Sequence, residues 1–300
     1  MRTTRKKHIT FAQLVLGLLL GVYAFVCLMP LVLCVIVSFS SDASIQSKGF
    51  SFFPEEWSLQ AWTYVGSFGN QLLTSYGVTI FITVVGTIFG LIVMGTFAYA
   101  LSRQQFQLRK AFSIVMLIPM LFSGGMLAGY LVNTQLYHLK DSIWVLILPG
   151  ISTMYIIILR TYIQMNIPDS LMESAKIDGA GEIRTFAQIV LPTMVPAMAS
   201  VGFMLAVGYW NDWNRAFLYI TSASKTPLQL LLIRIEKNIE FLLQEATMSS
   251  GLDYTELKAS LPEESGRMAI MLTVLGPILI AYPFFQKYFI QGLTVGSVKG

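Results

Sequence analysis

Residues equipped for covalent chemistry are few and scattered in this 300-residue chain. The two histidines, His8 and His138, fall in different polar segments, so no zinc-type cluster is available. The two cysteines, Cys27 and Cys34, stand two helical turns apart in one apolar run. That places their Cα atoms ~10 Å from each other, too far for a disulfide, and both read as packing residues. There is no Gly-rich phosphate loop and no G-x-S-x-G elbow. What remains is recognition chemistry. Trp210, Asn211, Asp212, Trp213 and Asn214 set flat rings beside hydrogen-bonding groups, a combination that suits sugars, whose C–H faces stack on rings while hydroxyls need polar partners. Tryptophan at a membrane boundary is also ordinary anchoring. Anchoring is the first reading of Trp210 and Trp213, and Arg215, three residues on, is the obvious partner for Asp212.

A second candidate is Asn166 to Pro192, N-I-P-D-S-L-M-E-S-A-K-I-D-G-A-G-E-I-R-T-F-A-Q-I-V-L-P. Ser170 and Glu173 have capping-box spacing, which predicts a short helix starting there. Gly179 ends it, because only glycine takes the left-handed C-terminal conformation freely. A second helix restarts near Glu182 and runs to Pro192, where the next membrane span begins. The resulting helix-turn-helix elbow carries a small-residue surface at Ser174, Ala175, Gly179, Ala180 and Gly181, which would admit another protein.

The elements that position these residues are set by composition. The chain is 55% hydrophobic and 12% charged, with mean hydropathy +0.65, against roughly a quarter charged in soluble domains. Six stretches longer than 17 residues carry no charge: 9–41, 57–102, 111–139, 142–159, 185–211 and 268–286. Each can cross ~30 Å of hydrocarbon as a helix. The expected fold is therefore all-α and polytopic with six transmembrane helices, and the continuous runs exclude a barrel of short alternating strands. The first run is too long for a signal peptide, whose apolar core is ~7–15 residues, so it reads as an uncleaved span.

The net charge of +4 follows sidedness rather than nucleic-acid binding. Arg2, Arg5, Lys6, Lys7, Arg103, Arg109, Lys110, Arg160, Lys176, Arg184, Lys287 and Lys299 share one side with Asp169, Glu173, Asp178 and Glu182, twelve basic residues against four acidic. That is the cytoplasmic side, which places both termini there. Outside lie residues 42–71, rich in aromatics, a short turn at Lys140 and Asp141, and the charged segment 219–267. Within the last, Leu228, Leu231, Leu232, Ile235, Ile239 and Leu242 recur at helical spacing, with Arg234, Glu236, Lys237 and Glu240 on the opposite face. This is an amphipathic helix that caps the bundle or docks an external partner. Gly77, Gly86, Gly90 and Gly95 in the second span and Gly124, Gly125 and Gly129 in the third are read as close-packing positions. A secondary transporter would place ionisable residues at the midplane, and an intramembrane enzyme needs a nucleophile with a base, or a metal site, at membrane depth; the spans show no such constellation.

Glu173-Ser174-Ala175, three residues, Gly179, nine residues, then Ile189-Val190-Leu191-Pro192 resembles the E-A-A-x3-G-x9-I-x-L-P loop of ABC importer permeases, with Ser174 where Ala is usual. The resemblance covers roughly residues 70–290. It implies a type I importer permease fold, with residues 1–69 holding the first span and external loop, 70–290 the permease core with its elbow at 166–192, and 291–300 a cytoplasmic tail. It further implies ATPase coupling through Glu173, Ser174, Ala175, Asp178, Gly179, Ala180, Ile189, Leu191 and Pro192, with Glu173 capping the elbow or pairing with a basic residue. Phe122-Ser123-Gly124-Gly125, Tyr209 to Trp213, Pro227 to Leu230, Tyr282 to Phe289 and Gly296 to Gly300 look like the polysaccharide and aldouronate branch of carbohydrate permeases. Met126 to Gly129 depart from its Pro-containing pattern, so the substrate class is carried over only as oligosaccharide. Gly124, Gly125, Trp210, Asn211, Asp212 and Trp213 become candidates for the substrate path or external gate. The expected partners are a second permease subunit, two cytoplasmic ATPase subunits that bind ATP and Mg, an extracytoplasmic sugar-binding protein and membrane lipid; the chain itself binds no cofactor and no nucleic acid.

Overall fold

In a computed structural model, residues 10–248 and 261–295 are described. Arg2, Arg5, Lys6, Lys7, His8, Lys258, Lys299 and the closing Gly296 to Gly300 lie outside them, as does the side chain of Lys287. The described residues form helices and no strand; a single antiparallel bridge joins Ser40 to Trp57. Helix α1 (Phe11–Ser38) is followed by α2 (Asp42–Lys48), α3 (Gln60–Ser67) and α4 (Gly69–Ser102). Next come α5 (Arg109–Leu121), α6 (Gly125–Leu131) with a π turn (Val132–Leu136), α7 (Trp144–Ile147) with a 3-10 turn (Leu148–Gly150), and α8 (Thr153–Asn166). The chain continues through α9 (Asp169–Ile177), α10 (Glu182–Thr185), a π turn (Phe186–Val190), α11 (Leu191–Trp210), α12 (Trp213–Tyr219), α13 (Leu228–Met248) and α14 (Glu264–Val295).

Four helices are long and apolar enough to cross a membrane without a break. The third and fourth expected spans are instead bent pairs, α5 with α6 at 117° and α7 with α8 at 43°. Their sequences show why. Pro119 removes a donor near the end of α5, and Gly125 takes φ +76°, a conformation that side chains with a Cβ rarely adopt. At the second break Pro149 lies in the 3-10 turn and Gly150 follows. A backbone broken at membrane depth is tolerated where it is buried in protein or lines a cavity.

Two compact units form, Met1–Gly69 with Ile235–Leu275, and Asn70–Arg234 with Gly276–Gly300. In the first, α1 is apolar all round and exposed along most of its length, the signature of a lipid-facing span. Cys27 is exposed on it and Cys34 half-buried, so Cys27 does not take the packing role expected of it, and both thiols are free. Asp42 accepts from the amides of Glu263, Glu264 and Ser265 at 3.0–3.1 Å. A carboxylate from a distant helix thereby satisfies the orphan donors that start α14 and meets its dipole. Arg267 then joins Glu236 and Glu240 of α13 to Glu264 of α14.

The second unit holds the main core, with Met94, Leu101, Val145, Ile147, Leu159, Ile163, Val190 and Met194 fully buried. Close packing rests on particular glycines. A Cβ at Gly86 would lie 2.6 Å from the Tyr209 ring and one at Gly90 2.7 Å from Leu205, so α4 and α11 meet through bare backbone. Gly125 and Gly129, expected to pack in the same way, have open space where a Cβ would stand. The G-x-x-x-G spacing there makes a bend rather than a contact.

The amphipathic helix expected in 219–267 is α13. Leu228, Leu231, Leu232, Ile235 and Ile239 are buried, which leaves this stripe no surface for an external partner; Leu242 is exposed. Arg234 does not keep to the polar face. It turns back to donate to Thr226 Oγ1 and the Ile220 carbonyl, both at 3.3 Å, because a part-buried guanidinium needs acceptors.

Candidate functional site

The elbow is built by backbone geometry. Helix α8 ends at Asn166, and Ile167, buried, carries the chain into Pro168, whose extended conformation precedes α9. The expected capping box does not form. Helix α9 starts one residue early, at Asp169, so Ser170 lies inside it and its carbonyl accepts from the Ser174 hydroxyl at 2.9 Å. Proline explains the shift, since its fixed φ pre-organises a helix start without a side-chain cap. The C-terminus follows the Schellman pattern. Gly179 takes φ +77°, its amide donates to the Lys176 carbonyl at 3.1 Å, and the Ala180 amide reaches the Ala175 carbonyl at 2.9 Å. A Cβ at Gly179 would meet nothing within 4 Å, so this position is glycine for its backbone conformation alone.

Helix α9 is held from one side only. Met172 and Ala175 face inward and are buried, which removes Ala175 from the surface expected of it. Asp169 accepts from Gln104 Nε2 at 3.0 Å and Lys176 donates to Gln105 Oε1 at 3.3 Å. Between them Arg103, buried at 8% exposure, directs Nη1 to the Met172 sulfur at 3.0 Å and Nη2 to Glu182 Oε1 at 3.3 Å. The Tyr99 hydroxyl donates to the other Glu182 oxygen, and the Arg103 guanidinium lies over the Tyr99 ring. One arginine at the end of α4 therefore ties both arms of the elbow to the bundle. The sequence marks Arg103 only as a cytoplasmic charge; nothing in its spacing to Met172 or Glu182, seventy to eighty residues away, announces the contact.

Glu173, expected to cap the elbow or pair with a base, is exposed and makes no hydrogen bond or ion pair among the described residues. Glu182 does the pairing instead. The outer face of the elbow carries exposed Glu173, Ser174, Asp178 and Gly179, half-buried Ala180, and two isoleucines, Ile177 and Ile183, each 86% exposed. Water-facing isoleucines on both sides of a turn are an unsatisfied apolar surface. Beyond them the helix restarts at Glu182 as expected, but it does not end at Pro192: it runs on to Trp210, carrying a π turn over Phe186–Val190. Pro192 lacks an amide N–H and its ring excludes the carbonyl four residues back, and a wide turn just before it absorbs the mismatch. Ile189 and Leu191 are half-buried and Pro192 exposed, while Val190 between them is fully buried.

At the other end of α11 the polar-aromatic cluster divides. Trp210 is buried and lines an apolar cavity of about 360 Å³ with Thr83, Thr87, Phe203 and Pro277. Trp213, half-exposed, makes an edge contact with Phe217. Asn211 spends its side chain on the Val207 carbonyl at 2.9 Å and on Gln229 at 3.1 Å. Asp212 caps α12 through the Arg215 amide at 3.1 Å and pairs with Arg215 Nε at 2.6 Å, the local partnership its spacing called for. Gly124 and Gly125 stand exposed at the α5–α6 corner and do not line the cavity of Trp210.

The strongest polar joint on this side is legible in the sequence only as a short turn. Asp141, with φ +54°, accepts from the amides of Thr221 and Ser222 at 3.0 and 2.9 Å, from the Ser222 hydroxyl, and from Lys225 at 3.0 Å. The Ser222 hydroxyl and amide first, then the Thr221 amide and Lys225, hold its carboxyl well below the usual carboxylate range. It locks the turn between the third and fourth spans to the segment after α12.

The broken spans and the braced elbow belong to a polytopic helical protein, and comparison with known proteins gives its class. Residues 82–295 match the family described as binding-protein-dependent transport system inner membrane component, and the chain belongs to that family. It is 38% identical over 299 residues, 98% of this chain and 100% of the relative, to the polygalacturonan/rhamnogalacturonan transport system permease protein YtcP of Bacillus subtilis (strain 168). It is 39% identical to the protein LplC of the same organism, covering 94% of this chain and 93% of that one. Among solved structures it is similar, with TM-score 0.75 and 27% identity over 95% of this chain and 100% of the other, to a chain from a bacterial ABC transporter involved in the import of the acidic polysaccharide alginate. The chain is a multi-pass inner-membrane permease subunit with the type I ABC importer fold, a non-catalytic component of its transporter.

Proposed function

We propose that this chain moves oligosaccharides, breakdown products of polysaccharides, into the cytoplasm by alternating access, driven by separate ATPase subunits that bind ATP and Mg and dock on the α9–α10 elbow. The observation that carries the reading is the elbow itself. Its inner face is fastened to the end of α4 through Arg103 while its outer face leaves Ile177 and Ile183 in water. An element so built transmits a push from a partner into tilting of whole helices, because packed bundles move between discrete arrangements rather than deform. The sugar class rests on the relatives, whose names specify polygalacturonan, rhamnogalacturonan and alginate.

In this reading a second permease subunit completes the pathway, two ATPase subunits sit in the cytoplasm, both termini face them, and an external binding protein delivers the sugar. Glu173, Ser174, Asp178, Gly179 and Ala180 belong to the docking surface, while Ala175, Ile189, Leu191 and Pro192 shape it from behind. The cluster from Trp210 to Trp213 serves the external gate by packing, since Asn211 and Asp212 are already hydrogen-bonded within the chain. The test is purification in mild detergent of the chain tagged at its C-terminus in its own cells, with mass spectrometry and an ATPase assay. Co-purification of an ATPase, a second permease and a sugar-binding protein supports the reading. A homo-oligomer without ATPase activity contradicts it.

A further inference from the structure

The chain from the end of α4 into α5 gathers positive charge that the elbow does not use. Gln104, Arg109, Lys110, Ser113 and Ile114 line an open pocket of about 800 Å³ together with Arg160 of α8. Three of these side chains are cations, and no acidic residue lines the pocket. Arg103, just before this stretch, is matched by Glu182. Arg109, Lys110 and Arg160 pair with no carboxylate among the described residues. Asp169 reaches the pocket wall only through Gln104, whose Nε2 donates to it at 3.0 Å.

Membrane sidedness explains the sign of these residues but not their convergence. Arg160 belongs to a membrane helix, about 9 Å of helical rise before its end at Asn166. Its Nη1 donates to Ser113 Oγ at 3.4 Å, which turns the guanidinium towards α5, where Arg109 opposes its charge. Helix α5 adds to the conflict. Its first turn holds Arg109 and Lys110 with no acid, no side chain caps it, and the positive end of its dipole repels both cations. An anion relieves all of these repulsions at once. The rest of α5 indicates what kind of anion. Ile114 belongs to the pocket, and Val115, Leu117, Ile118 and Leu121 continue from it as exposed apolar residues of a membrane span. A phospholipid matches both parts, with its phosphate among the cations and its acyl chains along the helix.

We propose that this pocket holds the phosphate of an anionic phospholipid, with Arg109 and Arg160 donating to its oxygens, Lys110 supplying a further positive charge and the acyl chains lying on the exposed face of α5. Arg160 reaches the phosphate as long basic side chains do near a membrane surface, with its stem in apolar surroundings and its head at the polar level. Ser113 is a positioning residue that holds the guanidinium beside α5. The inference goes beyond the importer reading and stands without it.

The test reads bound lipid directly. The complete transporter is reconstituted in vesicles of equal parts phosphatidylcholine and phosphatidylglycerol and re-extracted in mild detergent, and the lipid retained per permease chain is measured by native mass spectrometry. The parent should retain phosphatidylglycerol in preference to phosphatidylcholine. That retention should fall about fivefold in each of Arg109→Gln, Lys110→Gln and Arg160→Gln, the loss of one basic residue beside an anionic headgroup. Lys140→Gln removes an equal charge outside the pocket and should change nothing. Lys110 is exposed at the first turn of α5, so its variant reads the pocket even where Arg160→Gln does not fold. A parent without preference for phosphatidylglycerol, or an equal fall in Lys140→Gln and the pocket variants, overturns the site. Release of the lipid by inorganic phosphate, but not by chloride of equal ionic strength, would assign the pocket to a free phosphate and overturn the lipid reading.

Discussion

The elbow at α9–α10 and the joint at Asp141 are both turns between membrane helices, yet they treat their polar and apolar groups in opposite ways. Around Asp141 the carboxylate's donors all come from within the chain, from Thr221, Ser222 and Lys225. The elbow fastens its inner face through Arg103 and leaves Glu173 without a partner among the described residues and Ile177 and Ile183 in water. The joint at Asp141 consumes its own hydrogen-bonding capacity, and the elbow, in the proposed reading, keeps a surface in reserve for a partner. The same fold supplies both because helix breaks can be sealed from within or left for another protein.

The largest effect that sharpens this contrast is expected at the sealed joint. Asp141→Ala removes four donors' shared acceptor at a side chain 24% exposed, and should destabilise the detergent-solubilised protein by about 2–3 kcal/mol, water recovering part of the loss. Thermal unfolding followed by circular dichroism measures it. Since the folded-state pKa of Asp141 is depressed, its contribution is complete above the unfolded carboxylate value near ~4 and is lost as pH falls below it. The wild-type protein should therefore lose stability below about pH 4 more steeply than Asp141→Asn. Equal slopes would remove the carboxylate from the joint.

Arg103→Ala comes next. Glu182 is more than half exposed on its side of the pair and can return to water, so stability should drop by about 1–2 kcal/mol. Cleavage of the elbow by a cytoplasmic-side protease should rise while the spans stay intact; unchanged cleavage would show that α9 holds without the arginine. The smallest effect belongs to Glu173→Gln. An exposed carboxylate without a partner changes stability by no more than about 0.5 kcal/mol, so a fall in ATPase co-purification without a change in melting would locate its role in the partner contact. A fall in melting of several degrees would show that Glu173 braces the elbow after all.

Long apolar runs make the bundle legible in the sequence itself. The six charge-free stretches correspond to four whole helices and two bent pairs, and Gly179 stands at the elbow's turn as its residue type implies. The bends are less visible, because Pro119 and Pro149 are tolerated in straight membrane helices as well as broken ones. The capping box fails because Pro168 offers an earlier start to α9 than Ser170. Arg103 and Asp141 escape a reading of the sequence for a common reason: their importance lies in contacts 69 to 84 residues away, and sequence spacing carries no signal at that distance. The reverse error touches Gly125 and Gly129, where a packing motif by spacing proves to be a corner facing open space.

The elbow's role as the element that couples ATP use to transport is tested most directly at Gly179. Its left-handed backbone and the open space around it mean that Gly179→Val introduces local strain of about 1–2 kcal/mol without a clash in the bundle. In proteoliposomes containing the whole transporter, the ratio of sugar-stimulated to basal ATP hydrolysis should fall towards one in the variant while the spans keep their thermal stability. A variant that retains full stimulation and full uptake would contradict the assignment of α9 and α10 as the coupling element.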